Sequence, residues 1–194
     1  MPSTELRVPS DTVSSLGRAA HDAGLAALLG GNLYGRIALH PALADVSDAS
    51  ERGRVLNRAW RRYGWIHSAG LAAIIAGWAG ARVNEAKPSS LSGRERQLAV
   101  AKDAAVAAVA VTGVATAVTG MRFAKTAPGG AVPLEDGNHP GPQTPEHAAK
   151  LKRRVNILST ASAISELALV GVNAALGQAN FRRPPVRRLL RRSY

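Results

Sequence analysis

The chain has 194 residues, the length of one domain, and 46% of them are hydrophobic while only 4% are aromatic. Its formal net charge of +12 is compatible with binding to a nucleic acid or to an anionic membrane surface, and the placement of the charges must decide between them. Because the chain contains no cysteine, disulfides, thiolate metal sites and cysteine nucleophiles are excluded.

Four stretches contain almost no charged residues, and each is long enough to cross a bilayer. They comprise residues 23–40, 63–82, 102–121 and 155–179, and a spanning helix needs about 17–25 residues. The charged residues lie in the connections, which keeps the mean hydropathy at −0.04. An amphipathic helix of a soluble protein would carry them along one face instead. The sequence therefore predicts an all-α, integral membrane four-helix bundle, with a soluble alanine-rich bundle as the alternative.

Helix-start signals and prolines define the domain organisation. Asp48 with Glu51, Ser92 with Glu95, and Thr144 before Pro145 predict three helix starts, and the prolines fall outside the predicted spans. Residues 1–22 are predicted to form a cytoplasmic segment and the start of a helix, residues 23–181 the transmembrane domain, and residues 182–194 a basic tail. Residues 126–143, rich in Gly and Pro, are predicted to form a flexible loop. Cleavage of the first span as a signal peptide at residues 42–44 is an alternative.

The arginines predict the orientation and the partners. Six of them lie in the last 13 residues, which favours a multi-pass protein of the cell membrane with both termini in the cytoplasm. Further basic residues lie on the opposite side, between residues 52 and 62 and between 150 and 154. The arginines flank apolar spans without a recognition module, so the predicted partner is the lipid bilayer and not a nucleic acid. A homo-oligomer is compatible with the sequence.

Polar residues inside the spans form two patterns. Asn32, Arg36 and His40 recur every four residues and share one side of the first helix. In the last span, Glu166 belongs to a stripe with Ser159, Ser162 and Asn173. A carboxylate in hydrocarbon costs roughly 2.5–3.5 kcal/mol, so Glu166 is expected to face the bundle interior, to be protonated or to pair with Arg36 or His67.

These patterns predict that the first and last helices face each other through their polar sides. The candidate pocket residues are Asn32, Tyr34, Arg36, His40, His67, Asn156 and Glu166. Two interpretations remain open: the groups line a ligand or proton site, or they only satisfy one another and hold the helices together. No metal site is expected, because His21 lies at the opposite end of the first span from His40. The sequence does not identify a catalytic residue or a cofactor.

The stretch GGNLYGRIALHPAL, residues 30–43, resembles the first-helix signature of small four-helix membrane proteins related to anthrone oxygenases. The resemblance is carried by Gly30, Gly31, Tyr34 and the His40-Pro41-Ala42 run, and by the length and four-span layout. It implies a small membrane oxygenase or oxidoreductase with a hydrophobic small molecule in the bundle. The last helix lacks the Trp and Arg near its start that such families carry. A non-enzymatic membrane scaffold or accessory subunit is the alternative function.

Overall fold

The computed structural model describes residues 10–84, 86 and 88–181, which are all-helical and contain no β-strand. Four long helices are numbered here in chain order. They are α1 (Ser10–Tyr34), α2 (Ala49–Val83), α3 (Gly93–Ala124) and α4 (Glu146–Phe181). The predictions for residues 1–9 and for the basic tail, residues 182–194, lie outside the described residues.

All three predicted helix starts are confirmed, and two of them carry the predicted side-chain cap. The Asp48 carboxylate accepts a 2.7 Å hydrogen bond from the Glu51 backbone N–H, and Ser92 and Glu95 form a reciprocal capping box. The last helix begins at Glu146, directly after Pro145. There the Thr144 hydroxyl donates to the Pro133 carbonyl in the preceding loop, and it accepts no bond from the first turn of the helix among the described residues.

The first helix continues past Tyr34 instead of ending before Pro41. A π-helical turn, Gly35–Leu39, connects α1 to a single α-helical turn, His40–Ala42, and the His40 N–H bonds to the Gly35 carbonyl. Proline has no N–H with which to bond the preceding turn, and a wider turn accommodates this loss without breaking the helix.

Glycines set the distance between α1 and α2. A Cβ on Gly24 would lie 2.5 Å from the Gly70 carbonyl oxygen, and one on Gly77 would lie 2.5 Å from the Gly17 carbonyl oxygen. The Gly31–Gly35 pair, predicted to allow close backbone approach, has a different use, since it packs against the rings of Tyr63 and Trp60. The helix backbones therefore approach each other most closely at the other end of α1.

The interior is built from two apolar clusters. One lies between the four helices and includes Leu28, Ile74, Val109 and Leu169. The second joins the helix ends to the loop of residues 125–145. Residues 126–143 of this loop are predicted from their composition to be flexible. In this loop Val132 and Leu134 are fully buried, and they pack with Leu43, Leu56, Phe123, Ala148 and Leu151. The loop thus covers one end of the bundle.

The outer surface of the helices is apolar. Trp65 is 80% exposed and Ile37 74% exposed, and they share this surface with Ile66, Val111, Val114, Ile157, Ile164 and Leu167. By length and composition α2, α3 and residues 146–179 of α4 can each cross a membrane, whereas α1 does not meet that measure. Three of the four predicted spans therefore form helices that are long and apolar enough to cross a membrane. The first span stays a prediction.

Candidate functional site

The Glu166 carboxylate lies in the centre of the bundle and is 0% exposed. The Asn32 side-chain amide of α1 donates to both carboxylate oxygens, at 2.9 and 2.8 Å. The Ser162 hydroxyl, one turn earlier on α4, donates to the same carboxylate at 2.9 Å. Neutral donors therefore surround this carboxylate, and the two helices are joined through its hydrogen bonds.

Of the three alternatives expected for Glu166, the structure shows burial in the bundle interior, and neither Arg36 nor His67 pairs with its carboxylate among the described residues. The Arg36 guanidinium donates to the hydroxyls of Ser159 at 3.0 Å and Thr160 at 2.7 Å. Seven residues of α-helix separate Ser159 from Glu166, a rise of about 10 Å, so this contact keeps the guanidinium away from the carboxylate. The amide at position 32 reaches Glu166 because it is one turn deeper along α1.

The polar stripe of α4 contacts the first helix from position 21 to position 36. Towards the other end, the Asn173 amide lies 3.4 Å from His21 Nε2 and 3.4 Å from the Asp22 carboxylate. We call the polar contacts of α1 and its π-helical turn with α4 the polar seam; its members are His21, Asp22, Asn32, Arg36, Ser159, Thr160, Ser162, Glu166 and Asn173. Asn32 and Arg36 of the first polar pattern thus meet the stripe of α4, whereas His40 does not.

Within the described residues, three polar atoms along α1, α2 and α4 are buried without a hydrogen-bond partner. They are Nε of Arg36, Nε2 of His67 and Oδ1 of Asn173. His67 lies on α2 facing Gly113 of α3, where a Cβ would be 3.4 Å from its Nε2. In the packing of α1 against α2, Gly24 lies opposite Gly70 and Gly31 lies opposite Tyr63. His67 therefore lies between these two contacts along the bundle axis, about one helical turn from the Asn32–Glu166 pair. Unused hydrogen-bonding capacity therefore lies along the bundle axis on either side of Glu166.

His40 belongs to a second polar cluster beneath the 125–145 loop. Its Nε2 accepts a 3.2 Å hydrogen bond from the Trp60 indole N–H, so its Nδ1 carries the proton and donates to the Asn138 side-chain oxygen at 2.8 Å. His40 is therefore a neutral link between α2 and the loop.

Further contacts tie the loop to the helix ends. The Gly137 N–H donates to the His40 carbonyl at 3.0 Å, and the Asn156 amide donates to the Asn138 carbonyl at 2.7 Å. A Cβ on Gly137 would overlap His40. Two predicted pocket residues, His40 and Asn156, thus belong to this cluster, while Tyr34 is 64% exposed and lies apart from both clusters.

Sequence reasoning missed the aromatic residues of α2. Tyr63 donates to the Ala27 carbonyl at 2.5 Å and, three residues earlier, Trp60 binds His40. Their signal was present, because two aromatics at helical spacing face two glycines at helical spacing. At the opposite end, Asp103 accepts hydrogen bonds from Trp78 and Arg82 instead of pairing with its neighbour Lys102, which lies over the Trp78 ring.

The chemistry available at the seam is hydrogen bonding. Within residues 10–84, 86 and 88–181, no three His, Asp or Glu side chains are grouped so that they could hold a metal ion. The large side chains around Glu166 are closely packed, with Leu28, Ile74 and Leu169 fully buried. No protein-family model, curated protein or solved structure matches the chain.

Proposed function

We propose that this chain is an integral membrane protein that crosses the cell membrane four times, with both termini in the cytoplasm. The inverted distribution of side chains carries the proposal. Glu166 and Ser162 are buried, whereas large apolar side chains of α2, α3 and α4 face outward. In water this arrangement would expose a large apolar surface and would favour aggregation, and in a bilayer it matches the hydrocarbon.

The contacts of α1 explain how a less apolar helix would cross the bilayer with the others. Its polar side chains Asn32 and Arg36 are bonded to α4, while Leu33 and Ile37 face outward. A polar group that is hydrogen-bonded inside a bundle does not have to be desolvated by lipid. The mean hydropathy of α1 therefore understates its suitability for the membrane.

Alkaline carbonate extraction of membranes tests this part of the proposal. The chain should stay in the membrane pellet and should be released only by detergent. Recovery of folded chain in the carbonate supernatant would show that the apolar surface is covered by another protein or by a second copy.

We further propose that the bundle interior between the polar seam and His67 of α2 binds a small hydrophobic molecule that carries oxygen functions, such as hydroxyl or carbonyl groups. The observation in favour is the unused hydrogen-bonding capacity of Arg36 Nε and His67 Nε2, which would suit the oxygen atoms of such a ligand. The resemblance of residues 30–43 to anthrone oxygenase-related proteins points to the same ligand class, polycyclic or quinone-like.

Purification in mild detergent followed by mass spectrometry of bound small molecules tests the site. The unaltered chain should retain a hydrophobic molecule, and His67→Leu should lose it while still folding. Ser165→Ala is a matched control on α4, because the Ser165 hydroxyl bonds only to its own helix at Ala161. Equal retention by all three chains would contradict a site at the seam.

A scaffold or accessory subunit is the second candidate function. It is favoured by the filled interior and by the close backbone contacts of Gly24 with Gly70 and of Gly77 with Gly17. If no small molecule co-purifies and His67→Leu raises the stability of the bundle, the seam has a packing role only, since removal of an unpaired buried group relieves a desolvation cost.

A further inference from the structure

A surface groove with a volume of about 540 Å³ lies beside the 125–145 loop, apart from the polar seam. The end of α3 forms one wall with Arg122, Lys125 and Thr126, and the start of α4 forms the other with Pro145, His147 and Arg154. Buried Ala148 and Leu151 form its floor. The groove therefore has an apolar base and a rim of basic side chains.

The basic side chains of the rim have no acidic partner among the described residues. None of Arg122, Lys125, His147 and Arg154 takes part in an ion pair there. The nearest acid on α4, Glu146, is bonded at 2.6 Å to Lys150. Like charges that line one groove repel one another, and a bound anion would reduce that repulsion.

The start of α4 adds to the positive potential. Within the described residues no side chain caps it, and its first internal bond runs from the Ala149 N–H to the Pro145 carbonyl. The preceding amides of the first turn have no partner among those residues and carry the positive end of the helix dipole. The end of α3 carries the negative end of its own dipole, and the N–H groups of Lys125 and Thr126 satisfy its last carbonyls.

The groove also lies at a defined depth. Arg122 directly follows the predicted span 102–121, and Arg154 directly precedes the predicted span 155–179. For a chain that crosses the bilayer as proposed, this is the level of the lipid headgroups.

We propose that this groove binds a phosphate group, with Arg122 and Arg154 as its principal ligands and the first turn of α4 as a third donor. Arginine pairs with phosphate through two parallel N–H donors, and the free amides of a helix start supply further ones. Two sources carry this chemistry, the headgroup of an anionic phospholipid and free phosphate. Binding of a lipid headgroup rests on the proposed membrane location of the chain. Binding of a phosphate group as such does not depend on that location.

Binding measurements on the full chain in detergent test the proposal. The probes are short-chain phosphatidylglycerol and inorganic phosphate, each titrated against the unaltered chain, the Arg122→Gln/Arg154→Gln variant and the control Arg58→Gln/Arg153→Gln. Arg58 and Arg153 are exposed at the same end of the bundle but do not line the groove, so both variants lose the same charge.

We expect the groove variant to bind phosphatidylglycerol about tenfold more weakly, and the control less than about twofold more weakly. Inorganic phosphate that displaces the lipid identifies the shared phosphate chemistry, and tight binding of phosphate alone identifies the free anion as the source. Equal losses in the two variants, or no binding of either probe to the unaltered chain, would overturn the proposal.

Melting temperatures separate loss of binding from loss of folding. If Arg122→Gln/Arg154→Gln does not fold, Lys125→Gln/His147→Gln removes exposed groups from both walls of the same groove and carries the test. That variant should also bind phosphatidylglycerol more weakly than Arg58→Gln/Arg153→Gln does. Carbonate extraction stays informative in either case, because membrane insertion does not depend on these side chains.

Discussion

Asn32 and Glu166, which are 134 residues apart in the chain, form a hydrogen-bonded pair in which one amide donates to both oxygens of a fully buried carboxylate. The pair joins the first helix to the last. In the part of the chain described, no cation contacts the carboxylate, so it is held by neutral donors alone. Substitutions of Glu166 that keep or remove an acceptor oxygen should therefore differ in their effect on stability.

Glu166→Leu should lower the free energy of unfolding by about 1–3 kcal/mol, because the amide of Asn32 and the hydroxyl of Ser162 would lose their acceptor. Glu166→Gln keeps an acceptor oxygen, so its cost should be roughly 1 kcal/mol or less. Denaturant unfolding in detergent measures both. Equal costs for Gln and Leu would show that the charge itself, and not the hydrogen bonds, holds the helices.

Gly24→Ala should destabilise the bundle by about 1–3 kcal/mol, because its Cβ would lie 2.5 Å from the Gly70 carbonyl oxygen and α1 and α2 would have to separate. Gly30→Ala on the same helix is the control. A Cβ there meets nothing within 4 Å, and alanine is the better helix former. The melting temperature should fall for Gly24→Ala and should rise or stay unchanged for Gly30→Ala. A lower melting temperature for both variants would contradict a specific close approach at Gly24.

His40→Leu should lower the free energy of unfolding by about 1–3 kcal/mol, because the Trp60 indole N–H and the Asn138 side-chain oxygen would both lose their partner. Denaturant unfolding in detergent measures the loss. A stability equal to that of the unaltered chain would contradict a link between α2 and the loop through His40.

His139→Ala provides the control for that substitution. His139 is exposed, and its bond to Asp136 raises its pKa, so its small contribution is present at low pH and is lost as the pH rises through the raised pKa. At neutral pH and above, His139→Ala should therefore change the stability little. A loss as large as that of His40→Leu would show that the effect does not belong to the His40 contacts.

Cysteines introduced singly at Ser47 and Ser89 should react differently with a membrane-impermeant maleimide. Both residues are exposed and lie in connections at opposite ends of the bundle. If both termini are cytoplasmic, only Ser47→Cys is labelled in intact cells, and Ser89→Cys reacts after permeabilisation. The reverse pattern would invert the orientation, and labelling at both positions in intact cells would contradict a spanning bundle.

The sequence was a good guide to features that depend on local spacing. The capping residues Asp48 and Ser92 and the stripe through Glu166 follow from helical periodicity and appear in the structure as expected. The partner of Glu166 did not follow, because whether Asn32 or Arg36 reaches it depends on a few ångströms of sliding between helices. The burial of Val132 and Leu134 also escaped prediction, because short apolar residues between glycines and prolines carry no periodic signal.

The π-helical turn Gly35–Leu39 changes the directions in which side chains project from the first helix. Residues before and after the turn therefore face different neighbours. Such a turn accommodates one residue more than an α-helix would, and each residue of an α-helix corresponds to a rotation of about 100°. Upstream of the turn, Asn32 is directed at α4, and downstream of it, His40 is directed at Trp60 and the loop. A shorter chain, with Ile37 deleted, could regain regular helical bonding, but one of these two sets of contacts would then point the wrong way. At this point of the molecule the number of residues matters as much as their chemistry, so a deletion here is expected to be less well tolerated than most substitutions of the exposed Ile37 or Ala38.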